Sequence, residues 1–522
     1  MVGLRPTASV GASPLPMRSA YPPVTLEVGN ARTKIYYCPP QLQSAIWASA
    51  AYATDAVPSP GWRSPEADFG EKVWDGWIRL SRWDSRTGVG DVSTGLLPLV
   101  LQLAADHGCP THVNDARRRP EPGCPDFPAV PLRDYQRLAC DAAEERGRGV
   151  LDMPPRAGKT RTGIELTRRL WLPTIWIAPT TNIVEQTVRA FDDLCGRNFA
   201  GQLVGTKSWR ERSEMVHVMT AATAAMLPQE YFQTREVLLI DEVHHGASPQ
   251  YHAIAEKADH IFYRFGMTGT FFRSGNDEVA LHALLSNVIF KITTTELRDR
   301  GFIVPSSVVF LPIDGPLVKG GRGVPWMAGV GKHGIAAHKH RNAIVAWTAA
   351  TLSAKGRKVL VLVATKAQGD SVRDAVLDYM GSPLPTQFKP CEFVSTDKPT
   401  PINRQILDAF VNTDEVRVLV GTSMVGEGTD LPSADAIVYA MGGKAEVSHR
   451  QAMFRVCTAI EGKQRAVIVD FADRHNPSLL QHSLERASTY STEPTAETVA
   501  LATVSEFPAW LDWISASRIL HK

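Results

Sequence analysis

The chain has 522 residues, of which 44% are hydrophobic and 21% charged, and its formal net charge is +2 at pH 7. This length favours about three domains, and the composition is that of an ordinary soluble globular protein rather than a membrane or low-complexity one. The small net charge neither requires nor excludes nucleic acid as a partner, because a local basic groove can lie within a near-neutral total.

The seven cysteines are scattered along the chain, and no two of them form a CxxC pair. This spacing argues against a zinc site and against a disulfide framework, and it favours a reducing compartment. The N-terminus lacks the pattern of a signal peptide, and the apolar stretch at 96–105 is far shorter than the roughly 20 residues that a membrane span needs. We therefore expect a cytoplasmic protein without a membrane partner.

The N-terminal quarter of the chain divides into three segments. Residues 1–25 are rich in Pro, Ser and Ala and predict a flexible tail. Residues 26–125 carry many aromatic side chains and predict a small α+β accessory domain that binds nucleic acid. Its aromatics could stack on bases, although such residues are more often core. The charged, proline-containing stretch at 117–123 predicts a linker.

From residue 126 onward, short apolar runs alternate with helical patterns, which is typical of a parallel sheet with helices on both faces. A glycine-rich segment at 319–323 interrupts this alternation. We therefore predict one α/β lobe at 126–308, a linker at 309–340, a second lobe at 341–475 and a helical tail at 476–522. The predicted strands are Val150–Met153, Thr174–Ala178, Val216–Met219, Val237–Ile240, Ile261–Met267, Lys358–Ala364, Val416–Val420, Ala436–Ala440 and Ala466–Asp470.

The first chemical motif is a loop between a short strand and a helix, Pro154–Thr160. Backbone N–H groups and the dipole at a helix N-terminus form a cradle for phosphate in such a loop. Lys159 would reach the β- and γ-phosphates of a nucleotide, and the Thr160 hydroxyl would hold Mg²⁺. Taken alone the motif is weak, because the tripeptide Gly-Lys-Thr also occurs in ordinary loops.

The second motif is an acidic pair, Asp241 and Glu242, directly after the apolar run Val237–Ile240. A Mg²⁺-binding Asp and a water-orienting Glu belong at this end of a strand in the same sheet. A solvated acidic turn is the alternative, and the order of the two motifs favours the catalytic interpretation. Upstream, Gln136 could read the adenine edge with its amide, or it could be an exposed residue of a capped helix. The expected cofactors are ATP and Mg²⁺.

Together these residues resemble superfamily 2 helicases of the DExH type, over about 132–473. The resemblance implies two RecA-like lobes in tandem and ATP hydrolysis in the cleft between them. The matching segments are Leu132–Gln136, Ala157–Thr160, Ala178–Thr180 with Gln186, Val218–Thr220, Asp241–His244, Thr268–Thr270, Gly421–Thr422, Gly426–Pro432, and Gln451 with Arg455.

The resemblance also implies roles for individual residues. Arg455 and Gln451 of the second lobe would join Lys159, Asp241 and Glu242 in catalysis. The nucleotide would be held by Arg133, Gln136, Ala157, Gly158, Lys159, Thr160, Gly428 and Asp430. His244, Thr268 and Thr270 would couple the ATP site to the rest of the motor, with a simply packed His244 as the alternative. Nucleic acid would contact Pro179, Thr180, Thr220 and Thr422.

The chain departs from the family pattern at two places. Arg156 stands where a glycine is usual, so its side chain must point away from the phosphates or contact something else. In the segment that contains Gln451 and Arg455, Thr458 stands where the family has a second arginine, and Phe454 replaces a glycine. Loss of an arginine finger can cost about 10³–10⁵ in rate. Arg450 or Lys463 could substitute.

A finer resemblance is to the UvsW-type phage helicases. It rests on 74–80, 94–98 and 114–117 in the N-terminal domain, and on Asp470–Asp473 with His482, Arg486 and Tyr490. It implies single-stranded or branched DNA, or RNA in RNA–DNA hybrids, as partners in recombination or repair. A translocase without unwinding and a nucleotide-gated binding module with weak ATPase remain alternatives, and the oligomeric state stays open.

Overall fold

The structure is a computed structural model that describes residues 22–53, 76–205, 209–243, 249–269, 278–318, 329–381, 388–395, 400–422, 431–443 and 446–516. Within these ranges, no helix combines the length and the apolar composition needed to cross a membrane.

The N-terminal domain is a mixed sheet covered by two helices. Its elements are β1 (Val24–Val28), β2 (Arg32–Tyr36), α1 (Pro40–Ser49), β3 (Ala51–Ala53), β4 (Trp77–Arg79), β5 (Ser81–Trp83), β6 (Gly90–Ser93), α2 (Leu97–Asp106) and β7 (Thr111–Asp115). The main sheet has the order β5-β6-β2-β1-β7, in which only the β1–β7 pair is parallel. The predicted α+β domain is therefore confirmed, with Tyr52 in its core and Tyr37 and Trp77 exposed.

The first lobe is built on a parallel sheet. Its elements are α3 (Asp134–Arg146), β8 (Arg148–Asp152), α4 (Lys159–Leu170), β9 (Thr174–Ala178), α5 (Thr181–Cys195), β10 (Ala200–Gln202), β11 (Val216–Thr220), α6 (Ala221–Met226), α7 (Gln229–Phe232), β12 (Val237–Asp241), α8 (Pro249–Lys257), β13 (Tyr263–Thr268), α9 (Glu278–Leu285), β14 (Val288–Lys291) and α10 (Thr294–Asp299). The order of the seven strands is β10-β11-β9-β12-β13-β8-β14. Strands β8, β9, β12 and β13 are buried along their whole length, as expected for a sheet with both faces covered.

The second lobe repeats this architecture. Its elements are β15 (Ser306–Ile313), α11 (Lys339–Ala354), β16 (Val359–Leu362), α12 (Lys366–Met380), β17 (Cys391–Val394), α13 (Thr400–Asn412), β18 (Val418–Gly421), β19 (Ala436–Tyr439), α14 (Glu446–Arg455), β20 (Ala466–Asp473), α15 (Pro477–Ser491), β21 (Ala496–Ala500) and α16 (Phe507–Ala516). The seven strands run parallel in the order β17-β18-β16-β19-β20-β15-β21. The prediction of two parallel-sheet lobes in tandem is confirmed.

Two segments differ from the predicted boundaries. Strand β15 begins inside the predicted first lobe and continues into the predicted linker, yet it belongs to the second sheet. Pro312 makes this segment look unlike a central strand, because a proline has no N–H to donate to the hydrogen bonds between neighbouring strands. The Ser306 amide donates to Thr495 O on the β21 side, and alternation along the strand points residue 312 the same way. Pairing with β21 ends at Phe310, so the missing N–H leaves no ladder bond unmade.

The predicted helical tail contains α15 and α16, but it also contains β21, an edge strand of the second sheet. The segment reads Ala-Glu-Thr-Val-Ala and is mostly exposed, so it lacks the apolar run that would predict a strand. The segment is extended because it pairs with the buried strand β15, and its own residue pattern does not favour a strand.

Both lobes and the N-terminal domain are packed together. One continuous apolar cluster contains Met267 of the first lobe and Met453 and Phe454 of the second. On the other side, a Cβ added at Gly95 in the N-terminal domain would lie 2.1 Å from the carbonyl oxygen of His282 in α9. This close backbone approach requires glycine and fixes the N-terminal domain against the first lobe.

Candidate functional site

The order of strands in the first sheet brings the predicted motifs together. Strand β13 lies between β8 and β12, and all three run parallel. The phosphate loop follows β8, the acidic pair follows β12 and Thr268 ends β13. Because the carboxyl ends of parallel strands share one edge, the three motifs meet although 82 positions separate Lys159 from Asp241.

The phosphate loop has a backbone that demands a small residue at its turn. Gly158 precedes α4 with φ +80°, and a Cβ there would lie 2.2 Å from Gln136 Nε2. Lys159 is the first residue of α4, and its ammonium lies 3.4 Å from the carbonyl oxygen of Met153. The loop therefore curls around the position of the lysine head, as a phosphate cradle at a helix N-terminus requires. Thr160 lies half-buried in the first turn of the same helix.

The acidic pair faces the lysine directly. Lys159 Nζ lies 3.2 Å from Glu242 Oε1, and the Glu242 amide donates to Asp241 Oδ1 at 3.0 Å. Burial and the neighbouring Glu242 carboxylate raise the pKa of Asp241 to about 7, although Lys159 opposes them. Two adjacent carboxylates, one of them buried, are electrostatically suited to a cation.

The donor set fits Mg²⁺. A hydroxyl from Thr160 and a carboxylate from Asp241 are hard oxygen ligands, which Mg²⁺ combines with phosphate oxygens and water in nucleotide sites. The unfavourable burial of the Asp241 carboxylate is the observation that supports this fit, because a divalent cation would stabilise its ionised form.

The segment predicted to read adenine is buried against the phosphate loop. Gln136 is 2% exposed, its Oε1 accepts from the Arg133 amide at 2.9 Å, and its Nε2 donates to Ala157 O at 2.8 Å. The alternative of an exposed helix residue is therefore wrong, although Gln136 does cap the helix. In this arrangement its amide holds the loop rather than pointing freely to solvent.

Two aromatic residues in this region were not predicted to be part of the site. The Tyr135 hydroxyl donates to Ala157 O at 2.9 Å, beside the bond from Gln136. The guanidinium carbon of Arg133 lies 3.8 Å from the centroid of the Phe302 ring. Tyr135 lies within the segment Leu132–Gln136 and could have been predicted from it. Phe302 is far from this segment in sequence, and no local pattern marks it.

The segment that begins at Thr268, at the end of β13, contacts the phosphate loop. Thr268 is fully buried, and its carbonyl accepts from the Met153 amide at 2.8 Å. A Cβ at Gly269 would lie 2.8 Å from Pro155 Cδ. The end of β13 is therefore in direct contact with the start of the phosphate loop. Thr270 and His244, the other predicted coupling residues, lie outside the described residues, as do Gly428 and Asp430.

The second lobe reaches the phosphate loop through the end of α14. This helix carries the half-buried Gln451 and ends at the buried Arg455. Arg156 Nε donates to Phe454 O at 3.1 Å, and Arg156 Nη2 donates to Arg455 O at 2.8 Å. The sequence required Arg156 to point away from the phosphates or to contact something else, and these bonds give it partners across the lobe interface.

The position of the absent second arginine is occupied by a structural pairing. Thr458 forms a bridge with Ile303, flanked by hydrogen bonds from Val304 N to Cys457 O at 2.9 Å and from Ala459 N to Phe302 O at 3.2 Å. The segment therefore anchors the connection between the lobes.

The two basic residues considered as substitutes lie in different settings. Arg450 forms an ion pair of 3.0 Å with the buried Glu493. Burial raises the pKa of Asp152, and the charges of Lys291, Lys159 and Arg450 partly oppose this rise. Lys463 donates to Ala434 O, and burial lowers its pKa to about 8. Because Asp152 ends β8 just before the phosphate loop, Arg450 is the better-placed candidate.

The predicted nucleic-acid contacts follow strand ends at one edge of each sheet. Pro179 and Thr180 follow β9, Thr220 ends β11, and Thr422 follows β18. Thr180 and Thr220 cap α5 and α6, where their side chains accept from backbone amides. Thr365 caps α12 in the same way after β16.

Comparison with known proteins identifies the family. The model of "Type III restriction enzyme, res subunit" matches residues 129–273, and that of "Helicase conserved C-terminal domain" matches 341–458. The two ranges together cover just over half of the chain and contain the phosphate loop, the acidic pair and Arg455. The chain belongs to the superfamily 2 helicases.

Individual relatives of this superfamily 2 protein are distant. It is 25% identical to the DNA 3′-5′ translocase XPB2 of Sulfurisphaera tokodaii over 33% of the chain and 38% of that protein. It is 20% identical to the ATP-dependent DNA helicase uvsW of Enterobacteria phage T4 over 69% of the chain and 75% of that protein. These matches confirm the UvsW-type resemblance. The chain spans about half or less of the length of the first three curated relatives.

A solved structure supports the fold alone. The fragment structure of a putative HsdR subunit of a type I restriction enzyme from Vibrio vulnificus aligns with a TM-score of 0.54 at 16% identity, covering 77% of this chain and 74% of that chain.

Proposed function

We propose that the protein is an ATP-dependent DNA helicase or translocase that moves on or remodels branched DNA, including forks, junctions and R-loops. The observation that carries this proposal is the cluster of Lys159, Asp241 and Glu242 at one sheet edge, beside a phosphate loop whose Arg156 bonds the end of α14 across the lobe interface. Lys159 binds phosphate, Glu242 orients the attacking water, and Arg455 comes from the second lobe. When bound by Thr160 and Asp241, Mg²⁺ neutralises phosphate charge.

Turnover is converted into movement by the interface between the lobes. Because the ATP-binding residues lie in both lobes, nucleotide favours closure and loss of the γ-phosphate releases it. Threonines at the strand ends of both lobes would hold phosphates of one strand without reading its sequence. The relatives named as a DNA translocase and as DNA helicases support DNA as the partner.

The first experiment is steady-state ATPase of the wild type and of Lys159→Ala with no nucleic acid, single-stranded DNA, duplex, fork and RNA. We expect strong stimulation by DNA, greatest for the fork, and a loss of at least about 100-fold in the variant, because the lysine contacts the transferring phosphate. Arg189→Ala, on the exposed side of α5, is the matched control. Absence of stimulation by every nucleic acid would refute the motor.

A second measurement separates the translocase alternative, which the XPB2 relative favours. Strand displacement on a fork would establish unwinding. DNA-stimulated ATPase without a displaced strand would instead establish a double-strand translocase.

The binding module with weak ATPase is favoured by one observation, the pairing of Thr458 with Ile303 where the second arginine is expected. ATP and DNA binding with negligible turnover would establish it.

A further inference from the structure

Arg156 occupies a backbone position that favours glycine. Its φ is +72°, in the left-handed region that L side chains rarely adopt. A glycine there would remove the strain without any loss of main-chain geometry. The strained residue is accompanied by two hydrogen bonds that a glycine could not make, and both cross from the phosphate loop to the second lobe.

The acceptors of these bonds are the carbonyls at the end of a helix. The last carbonyls of a helix have no partner within it, and they carry the negative end of its dipole. Arg156 supplies a cation and two donors to Phe454 O and Arg455 O at the end of α14. It therefore acts as the C-terminal cap of α14 from the opposite lobe.

The backbone of Arg156 is held as well. Arg133 Nη1 lies 3.5 Å from the Arg156 carbonyl oxygen, while the Arg133 guanidinium lies over the Phe302 ring. The Phe302 carbonyl accepts from Ala459 N, just beyond α14. Two routes therefore tie the phosphate loop to 454–459, one through the Arg156 side chain and one through Arg133 and Phe302.

We propose that Arg156 is a positioning residue: it caps α14 across the lobe interface and thereby places Arg455 at the nucleotide before ATP arrives. The proposal rests on the proposed ATPase function for its kinetic consequence, but not for its structural one. Because Thr458 replaces the second arginine of the family pattern, Arg455 is left as the arginine of this segment. The orientation of α14 then determines whether Arg455 reaches the phosphates. Arg156 contributes pre-organisation to the reaction and is not itself a catalytic residue.

The structural test measures the distance between the lobes without nucleotide. Fluorescent labels are placed at Met226 and Tyr379, which are exposed in the first and second lobes. Arg156→Gly should broaden the distribution of distances between the two labels and shift it to longer distances. Arg156→Lys should give an intermediate result, and Arg189→Ala should match the wild type. An unchanged distribution in Arg156→Gly would overturn the proposal whether or not the protein hydrolyses ATP.

The kinetic test separates positioning from binding. Arg156→Gly should lower the DNA-stimulated kcat at least about tenfold, since small misplacements of catalytic groups have large effects on rate. The KM for ATP should stay within about threefold, because the lysine and the loop backbone remain. Partial rescue by Arg156→Lys is expected. A wild-type kcat in Arg156→Gly would overturn the proposal, whereas a wild type without DNA-stimulated ATPase would refute the proposed function and leave the distance measurement as the deciding test.

Discussion

Asp241→Asn should make the nucleotide-free protein more stable while abolishing its ATPase. The carboxylate is buried beside Glu242, and its pKa of about 7 lies above the ordinary 3.8. Asparagine has nearly the same shape, and its side-chain oxygen can still accept from the Glu242 amide. The variant therefore removes a buried charge and keeps the hydrogen bond.

The magnitude follows from the pKa. Since one pKa unit corresponds to about 1.4 kcal/mol, ionising Asp241 in the folded protein costs about 4 kcal/mol relative to the unfolded chain. A group whose folded pKa is raised loses its contribution to stability as pH rises from its unfolded pKa through its folded pKa. Between about pH 5.5 and about pH 8 the wild type should therefore lose about 2 kcal/mol relative to the variant.

The assay is thermal unfolding of both proteins without nucleotide or Mg²⁺ at these two pH values. For a lobe of this size, about 2 kcal/mol corresponds to about 4–8 °C in Tm. The Tm advantage of Asp241→Asn should grow by that amount at the higher pH. A variant that melts below the wild type at both pH values, or an advantage that does not grow with pH, would refute the reasoning.

Three further substitutions test other parts of the structure. Asp470→Asn should destabilise the second lobe by about 3 kcal/mol in urea unfolding, because the buried Arg486, which bonds Asp470 through Nε and Nη2 at 2.9 Å each, loses its nearer charge partner and keeps the more distant Asp473 at 3.8 Å; an unchanged midpoint would contradict this. Gly158→Ala should weaken binding of a fluorescent ATP analogue at least about tenfold through its clash with Gln136. Gly462→Ala, with φ +81° and open space around it, is the control, and equal effects would contradict the clash. Gly95→Ala should loosen the N-terminal domain from α9 and speed proteolysis between 116 and 133, while the ATPase without DNA stays unchanged; unaltered proteolysis would count against the close packing.

Local signals in the sequence determined many elements of the two lobes. Fully apolar runs such as Val237–Ile240 predict buried parallel strands, because both faces of such a strand are covered. The turn before α4 was readable because Gly158 stands where a left-handed backbone is needed. Strand ends followed by Gly-Lys-Thr or by an acidic pair predicted the phosphate loop and the carboxylate pair, the alternation of strands and helices predicted the α/β lobes, and the family resemblance implied the remaining site residues.

Other features escaped prediction because they depend on pairing between distant segments. Strand β21 is extended only through its ladder with β15, and Phe302 joins the site only through Arg133. Gln136 is buried against Ala157, so its amide is committed to the loop, whereas its local pattern equally fitted an exposed helix residue.

The sequence by itself determined which residues are the candidates for the chemistry, since a phosphate loop and a strand with an acidic end are encoded by neighbouring residues. Only the tertiary structure decided how they meet. The order β12-β13-β8 places Glu242 3.2 Å from Lys159, and the packing of the lobes gives Arg156 its two acceptors on α14. The physical reason is that hydrogen bonds and ion pairs between residues 80 to 300 positions apart depend on strand order and lobe packing, which neighbouring residues do not encode.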